Sequence, residues 1–148
     1  MYMSSRKREI LKSRKKEKIA LLIDLDTVRD LQTIIKMYEI ANSRGEIVYS
    51  CVYAEEKDLT LISTISGEIE KKGAEIKVTV GPSEITMALD IVEFSYGNKI
   101  DVIITCTRKN TLIPAFVETR RLGKKLIIMA PISAPASLEE VADEIEVV

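Results

Sequence analysis

The chain has 148 residues, of which 46% are hydrophobic and 30% charged, and its formal net charge is −1. A chain of this size buries roughly 70% of its unfolded surface, so it needs neither a disulfide nor a structural metal to fold. It contains no histidine, which excludes imidazole as a base or ligand and leaves carboxylates to build any metal site, a ligand set that favours Mg²⁺ or Mn²⁺.

The N-terminal segment differs in charge from the rest of the chain. Residues 1–18 contain eight Lys or Arg and two Glu, an excess of six positive charges, so the remainder carries an excess of seven negative ones. We expect a basic N-terminal arm over 1–17 and one domain over 18–148. The arm either contacts nucleic-acid phosphates or serves as a solubilising tail. The candidate phosphate contacts in it are Arg6, Lys7, Arg8, Lys15 and Lys16.

Short apolar runs then alternate with segments of helical period. The first half predicts strands over 19–23, 46–54 and 75–80, with helices over 27–43 and 56–72. The run 75–80 alternates strictly between apolar and polar residues, which is typical of an edge strand with one exposed face.

The second half continues the same alternation. Ser83 is placed to cap a helix that runs to about Tyr96. The later elements are a strand over 101–105, a helix over 110–122, a strand over 125–130, a short helix over 137–142 and a final strand near 145–148.

This order of elements predicts an α/β fold. Strands that alternate with helices form a parallel sheet with helices on both faces. We expect a Rossmann-like three-layer sandwich with strand order 3-2-1-4-5 and a short C-terminal strand. The continuous apolar runs 19–23, 101–105 and 125–130 should be central strands, buried on both faces.

The cysteines and the lengths of the apolar runs indicate the cellular compartment that we expect for the protein. Cys51 and Cys106 each lie within an apolar run, which favours buried thiols in a reducing, cytoplasmic setting over a disulfide framework. No apolar run approaches the roughly 18 residues that a membrane-spanning helix requires. We therefore expect a cytoplasmic protein with no membrane partner.

The fold predicts where a functional site lies. In an open parallel sheet the site lies beyond the carboxyl ends of the strands, where the strand order reverses. That point brings together the segments 24–27 and 105–109, with Glu84 in the first turn of a helix as a third wall.

Each of these residues also has a structural interpretation. Asp24, Asp26 or Thr27 suits the N-cap of the helix that follows. Glu84 is favoured at a helix N-terminus by the helix dipole alone. Arg108 is an ordinary loop cation in the same structural interpretation, as is Lys109.

Four stretches carry a resemblance to a known family: KIALLIDLDTV, VGPSEITMALDIVEFSYGNKIDVII, TRKNTLIPAFVETRRLGKKLIIMAP and SAPASLEEVADEIEVV. In order and spacing they resemble the NYN branch of the PIN-like nuclease superfamily, in particular archaeal members of similar length. The resemblance covers residues 18–148. It implies metal-dependent cleavage of RNA, with carboxylates that hold Mg²⁺ or Mn²⁺ and a metal that activates water.

The resemblance assigns roles to individual residues. Asp24 and Glu84 match the first two metal ligands, and Asp90 matches an acid further along the same helix. The two aspartates expected after the fourth strand fall on Lys109 and Thr111. Leu25 and Thr27 stand where the family has Gly and Asn.

These departures change the expected chemistry. A divalent ion needs anionic oxygens close together, and a lysine in their place repels the metal and neutralises Asp24 and Glu84. We therefore expect a degenerate site that cuts RNA weakly or not at all, and that binds phosphate through Thr107, Arg108 and Lys109. No cofactor is needed in that case.

Three alternatives remain at this stage. An active Mg²⁺- or Mn²⁺-dependent ribonuclease would use Asp24, Asp26 and Glu84. A protein-interaction scaffold, with a second copy or another protein as partner, would need no metal. The stretch Asp24-Leu25-Asp26-Thr27-Val28 also resembles the signature of haloacid-dehalogenase phosphatases, but that family requires a later acidic pair that this chain lacks after its fourth strand.

Overall fold

The computed structural model describes residues 16–148 and contains six strands and five α-helices in that range. In chain order they are β1 (Glu17–Asp24), α1 (Leu31–Arg44), β2 (Gly45–Glu55), α2 (Leu59–Lys71), β3 (Glu75–Thr79), α3 (Ser83–Ser95), β4 (Val102–Cys106), α4 (Ile113–Arg121), β5 (Lys125–Ala130), α5 (Ala136–Val141) and β6 (Glu144–Val147). Short 3₁₀ turns at Glu56–Asp58 and Asn110–Leu112 lead into α2 and α4.

The strands form one parallel sheet in the order β3-β2-β1-β4-β5-β6. This order confirms the predicted Rossmann-like three-layer sandwich, including β3 as an edge strand. The order reverses between β1 and β4, because the chain builds outward from β1 to β3 and then returns to the other side of β1.

Each face of the sheet is covered by its own set of helices. Along β1, Leu21 and Ile23 belong to the hydrophobic cluster packed under α1 and α2, whereas Ala20 and Leu22 belong to the cluster under α3, α4 and α5. All four side chains are fully buried. Burial on both faces explains why β1 is continuously apolar in sequence.

Two helix caps differ from the sequence prediction. Helix α1 begins at Leu31, and its cap is Asp30, whose Oδ2 accepts a hydrogen bond from the Thr33 amide at 2.9 Å. The predicted caps, Asp24, Asp26 and Thr27, are therefore wrong for this helix. The prediction that Ser83 caps α3 is also wrong, because Pro82 holds the cap position and the Ser83 amide donates to Glu55 Oε2 at 3.0 Å.

Two of the helices end just before a glycine. Gly73 and Gly123 have positive φ angles of 83° and 81° and lie just after α2 and α4, a conformation that glycine adopts without strain. Within residues 16–148, no helix combines the length and apolar character needed to cross a bilayer.

Candidate functional site

Three segments meet at the carboxyl end of the central strands. Ile23 of β1 pairs with Cys106 of β4, so the next residues, Asp24 and Thr107, lie side by side. The N-terminus of α3 brings Ser83 to the same place. This is the predicted point at which the strand order reverses.

The ammonium group of Lys109 lies at the centre of this site. Its Nζ is 3.3 Å from Asp24 Oδ1, 2.9 Å from Asp26 Oδ2 and 3.2 Å from Glu84 Oε2. It also lies 3.3 Å from Ser83 Oγ. One cation thus contacts three carboxylates that come from two separate parts of the chain.

The carboxylate of Asp24 is fixed from its other side. Its Oδ2 accepts hydrogen bonds from the hydroxyls of Thr27 and Thr107 at 3.1 and 3.0 Å, and its Oδ1 accepts from the Asp26 amide at 3.1 Å. Asp24 and Thr107 are fully buried. Both carboxylate oxygens of Asp24 are therefore engaged within the chain.

Burial and charge act in opposite directions on these groups. Burial raises the pKa of Asp24, although Lys109 and the threonine hydroxyls oppose that shift. Burial would also raise the pKa of Asp26, but contacts with Lys109 and Lys57 outweigh it and lower that pKa. For Lys109, burial would lower the pKa, yet Asp26, Asp24 and Glu84 together raise it, so the ammonium stays charged.

Further charges surround Asp26. Lys57 Nζ lies 3.1 Å from Asp26 Oδ1, and Arg29 lies 3.9 Å from the same oxygen while it pairs with the buried Asp58 at 3.0 Å. These cations offset part of the negative charge of Asp26 on its solvent side. Sequence reasoning missed Lys57, Arg29 and the contact of Ser83 because only the packing of the loops brings them to the site.

Asp90 lies outside this cluster. Its Oδ2 accepts a hydrogen bond from the Tyr53 hydroxyl at 2.6 Å and pairs with Lys77 Nζ at 2.7 Å. Six residues correspond to about 600° of helical turn, which directs Asp90 to a different face of α3 from Glu84. The carboxylate that the resemblance adds to the metal site is thus neutralised elsewhere in the chain.

The predicted phosphate-binding residues differ in how free they are to contact a phosphate. The hydroxyl of Thr107 donates to Asp24, and the ammonium of Lys109 contacts the carboxylates. Arg108 is exposed; its amide donates to Thr27 Oγ1 at 3.1 Å, and its guanidinium donates to the carbonyl of Ser133. Lys16 is exposed; the other arm residues named above, Arg6, Lys7, Arg8 and Lys15, lie outside the described residues.

The side chains present do not suit a divalent ion. Among residues 16–148, no group of three or more acidic, cysteine or histidine side chains is arranged to hold a metal. The ammonium of Lys109 lies between Asp24, Asp26 and Glu84 and contacts all three carboxylates. Thr111, at the second position where the family carries an aspartate, borders the same groove as Glu84 and contributes no charge.

Sequence comparison identifies the class of protein. The NYN domain family matches residues 18–147, and the chain belongs to this family, a branch of the PIN-like nuclease superfamily. The chain is 30% identical over 148 residues to uncharacterized protein MJ0482 of Methanocaldococcus jannaschii, and the alignment covers 95% of this chain and 60% of that protein. The chain thus spans about 60% of the length of this relative.

A comparison of folds gives a more distant neighbour. The crystal structure of a proposed transcriptional regulator from Clostridium difficile 630 has a TM-score of 0.43 and 16% identity. The similarity covers 87% of this chain and 33% of that chain. A structural similarity this low gives no information about the ligand or the activity of this chain.

Proposed function

We propose that this chain is an NYN domain that binds RNA without cutting it, because the ammonium of Lys109 takes the place of the catalytic metal. The observation that carries the proposal is the position of Lys109 Nζ, within 3.3 Å of Asp24, Asp26 and Glu84. An ammonium and a divalent ion cannot share that space. Metal binding would require the lysine to leave three anionic partners.

The electrostatics of the cluster support the same conclusion. A metal site gathers net negative charge, which a divalent ion then neutralises. Here Lys109 and Lys57 already neutralise much of the charge of Asp24, Asp26 and Glu84. The residual attraction for a second cation is correspondingly small.

RNA binding relies on cations outside the cluster. Arg108 is an exposed cation beside the site, and the arm supplies a dense group of positive charges. Such cations contact the phosphates of the RNA and do not distinguish one base from another. We propose a sequence-tolerant interaction that depends steeply on salt concentration.

The experiment combines a binding and a cleavage assay on one labelled single-stranded RNA. We expect the full chain to retard the RNA at low salt, and to leave it intact during long incubation with Mn²⁺ or Mg²⁺. The matched control is Asp24→Asn, purified in the same way, which reveals any contaminating nuclease. Cleavage by the wild type that Asp24→Asn abolishes would show an active ribonuclease and refute the proposal, and absence of any RNA retention would favour a protein-interaction scaffold.

A further inference from the structure

Helix α3 carries a row of apolar side chains on its solvent side. Ile85, Leu89 and Tyr96 are 61%, 68% and 55% exposed, and Val92 between them is partly buried. Steps of four, three and four residues keep these side chains on one face of the helix, which we call the α3 stripe. Single exposed apolar residues are common, whereas a contiguous row marks an interaction surface.

The α3 stripe lies opposite the face that the helix turns to its own core. Met87 and Ile91 are buried in the hydrophobic cluster under α3, α4 and α5. A helix at the surface of a domain normally has a polar outer face, and the outer face of α3 is apolar instead. Alternating steps of four and three residues are typical of the seam between two packed helices. The stripe therefore has the spacing to pack against another helix.

Helix α4 extends this apolar surface. A groove of about 550 Å³ lies between the two helices, and Pro114 and Ala115 of α4 line it together with Leu89. The hydroxyls of Ser95 and Thr119 lie 2.8 Å apart and join the two helices. The surface is thus held in shape before a partner arrives, which lowers the cost of association.

The charges around the surface suit a second copy of the chain in the antiparallel sense. Among the described residues that line the groove, the one charged residue is Glu84, whose carboxylate pairs with Lys109, so two such grooves do not repel each other. Lys99 is exposed beyond the C-terminal end of α3, and Glu84 lies in the first turn at the other end. Antiparallel α3 helices bring each Lys99 toward the first turn of the other copy and oppose the two helix dipoles. A parallel arrangement would bring the two acidic first turns together.

The size of the surface sets the strength of the association that it supports. Helix α3 has 13 residues, a length of about 20 Å, and two adjacent helices are together roughly 20 Å wide. The face of α3 and α4 therefore offers about 400 Å² per copy, compared with about 800 Å² per partner in a stable complex. Such an area suits a reversible dimer and not a permanent one.

We propose that two copies of this chain associate through α3 and α4, with the α3 stripes packed antiparallel about a twofold axis. In this arrangement Ile85 lies opposite Tyr96 of the second copy, and Leu89 lies opposite Val92. The association requires neither the Lys109 ammonium nor RNA, so it stands or falls separately from the function proposed above.

Sedimentation equilibrium of the full chain tests the association. We expect monomer and dimer in reversible exchange, with a dissociation constant between about 1 μM and 1 mM, because an interface below the standard size binds weakly. A monomer at every concentration up to about 1 mM would overturn the proposal and leave the surface to a different protein.

Two matched variants locate the interface. Leu89→Lys places two like charges near the twofold axis, so association should weaken by about tenfold or more. The midpoint of urea unfolding should not change, because Leu89 is exposed in the monomer. The control is Leu59→Lys, at a 58% exposed position where α2 begins on the other face of the sheet, which should associate like the wild type. Equal weakening in both variants, or in neither, would overturn the assignment of the surface.

Disulfide cross-linking tests the antiparallel direction. Cys51 and Cys106 are buried, so a cysteine introduced at the surface reacts first under mild oxidation. An equimolar mixture of Ile85→Cys and Tyr96→Cys should give almost exclusively the mixed dimer, which mass spectrometry distinguishes from the two homodimers. Cross-links of Ile85→Cys only to itself would overturn the antiparallel arrangement.

Discussion

Lys109 Nζ and Asp24 Oδ1 lie 3.3 Å apart at the carboxyl end of the central strands. Asp24 is fully buried, and a buried carboxylate requires a cation or hydrogen-bond donors to remain ionised. In this chain the cation beside that carboxylate is the ammonium of Lys109. The contact therefore has consequences for stability, for pH dependence and for metal binding.

Replacement of Lys109 by Met should destabilise the fold. The substitution keeps the aliphatic stem but leaves Asp24, Asp26 and Glu84 without their shared cation, and we expect a loss of about 1–3 kcal/mol in the free energy of unfolding at pH 7. Urea denaturation measures it. Lys57→Met is the matched control and should cost less, since the Lys57 side chain is 61% exposed. Equal losses in the two variants would show that the central position of Lys109 has no special importance.

The pH dependence of Lys109→Met should differ from that of the wild type. Burial raises the pKa of Asp24 and Lys109 opposes that shift, so removal of the lysine raises this pKa further. A raised folded-state pKa stabilises the fold at low pH, and that contribution is lost as pH rises from about 3.8 through the folded-state value. The difference between variant and wild type should therefore be smaller at about pH 4 than at pH 7. A difference that grows toward pH 4 would contradict this assignment of charge.

Asp90 should matter for folding and not for RNA. Its carboxylate accepts from the buried Tyr53 and pairs with Lys77, so Asp90→Asn should lower the free energy of unfolding by about 1–3 kcal/mol. RNA affinity, measured by retardation on a gel at a temperature well below unfolding, should stay unchanged. The comparison is Arg108→Ala, which should weaken RNA binding with little effect on stability. A reversed pattern would place Asp90 in the binding site.

Removal of residues 1–15 should weaken RNA binding and reduce its salt dependence. For single strands the slope of log K against log salt becomes shallower by about 0.7 for each phosphate that the protein no longer neutralises. Because β1 begins at Glu17, the deletion leaves the sheet intact. A chain in which the arm's Lys and Arg are replaced by Ser controls for length and should behave like the deletion. An unchanged affinity and slope in both chains would make the arm a solubilising tail.

Much of the fold follows from the sequence because its signals are local. The apolar runs 19–23, 101–105 and 125–130 became the central strands β1, β4 and β5, since burial on both faces demands continuous hydrophobicity. Helix starts were harder to predict. The acid in the cap of α1 is Asp30, whereas Asp26 is directed to the site by Lys109, a residue 83 positions away.

The site was only partly predictable. The resemblance drew attention to Lys109 and Thr111, and topology brought Asp24 and Glu84 together. Neither signal reveals that Lys57 and Arg29 reach Asp26, or that Asp90 pairs with Lys77, because those contacts depend on side-chain directions across separate loops.

Mn²⁺ binding tests the central claim most directly, by calorimetry on the wild type and on the double variant Lys109→Asp/Thr111→Asp. Replacing the cation and restoring a second acid beside Glu84 should create a site, so the double variant should bind Mn²⁺ at least tenfold more tightly and lose that affinity when Asp24→Asn is added. The wild type should bind weakly, without dependence on Asp24. Tight, Asp24-dependent binding of Mn²⁺ by the wild type would contradict the account.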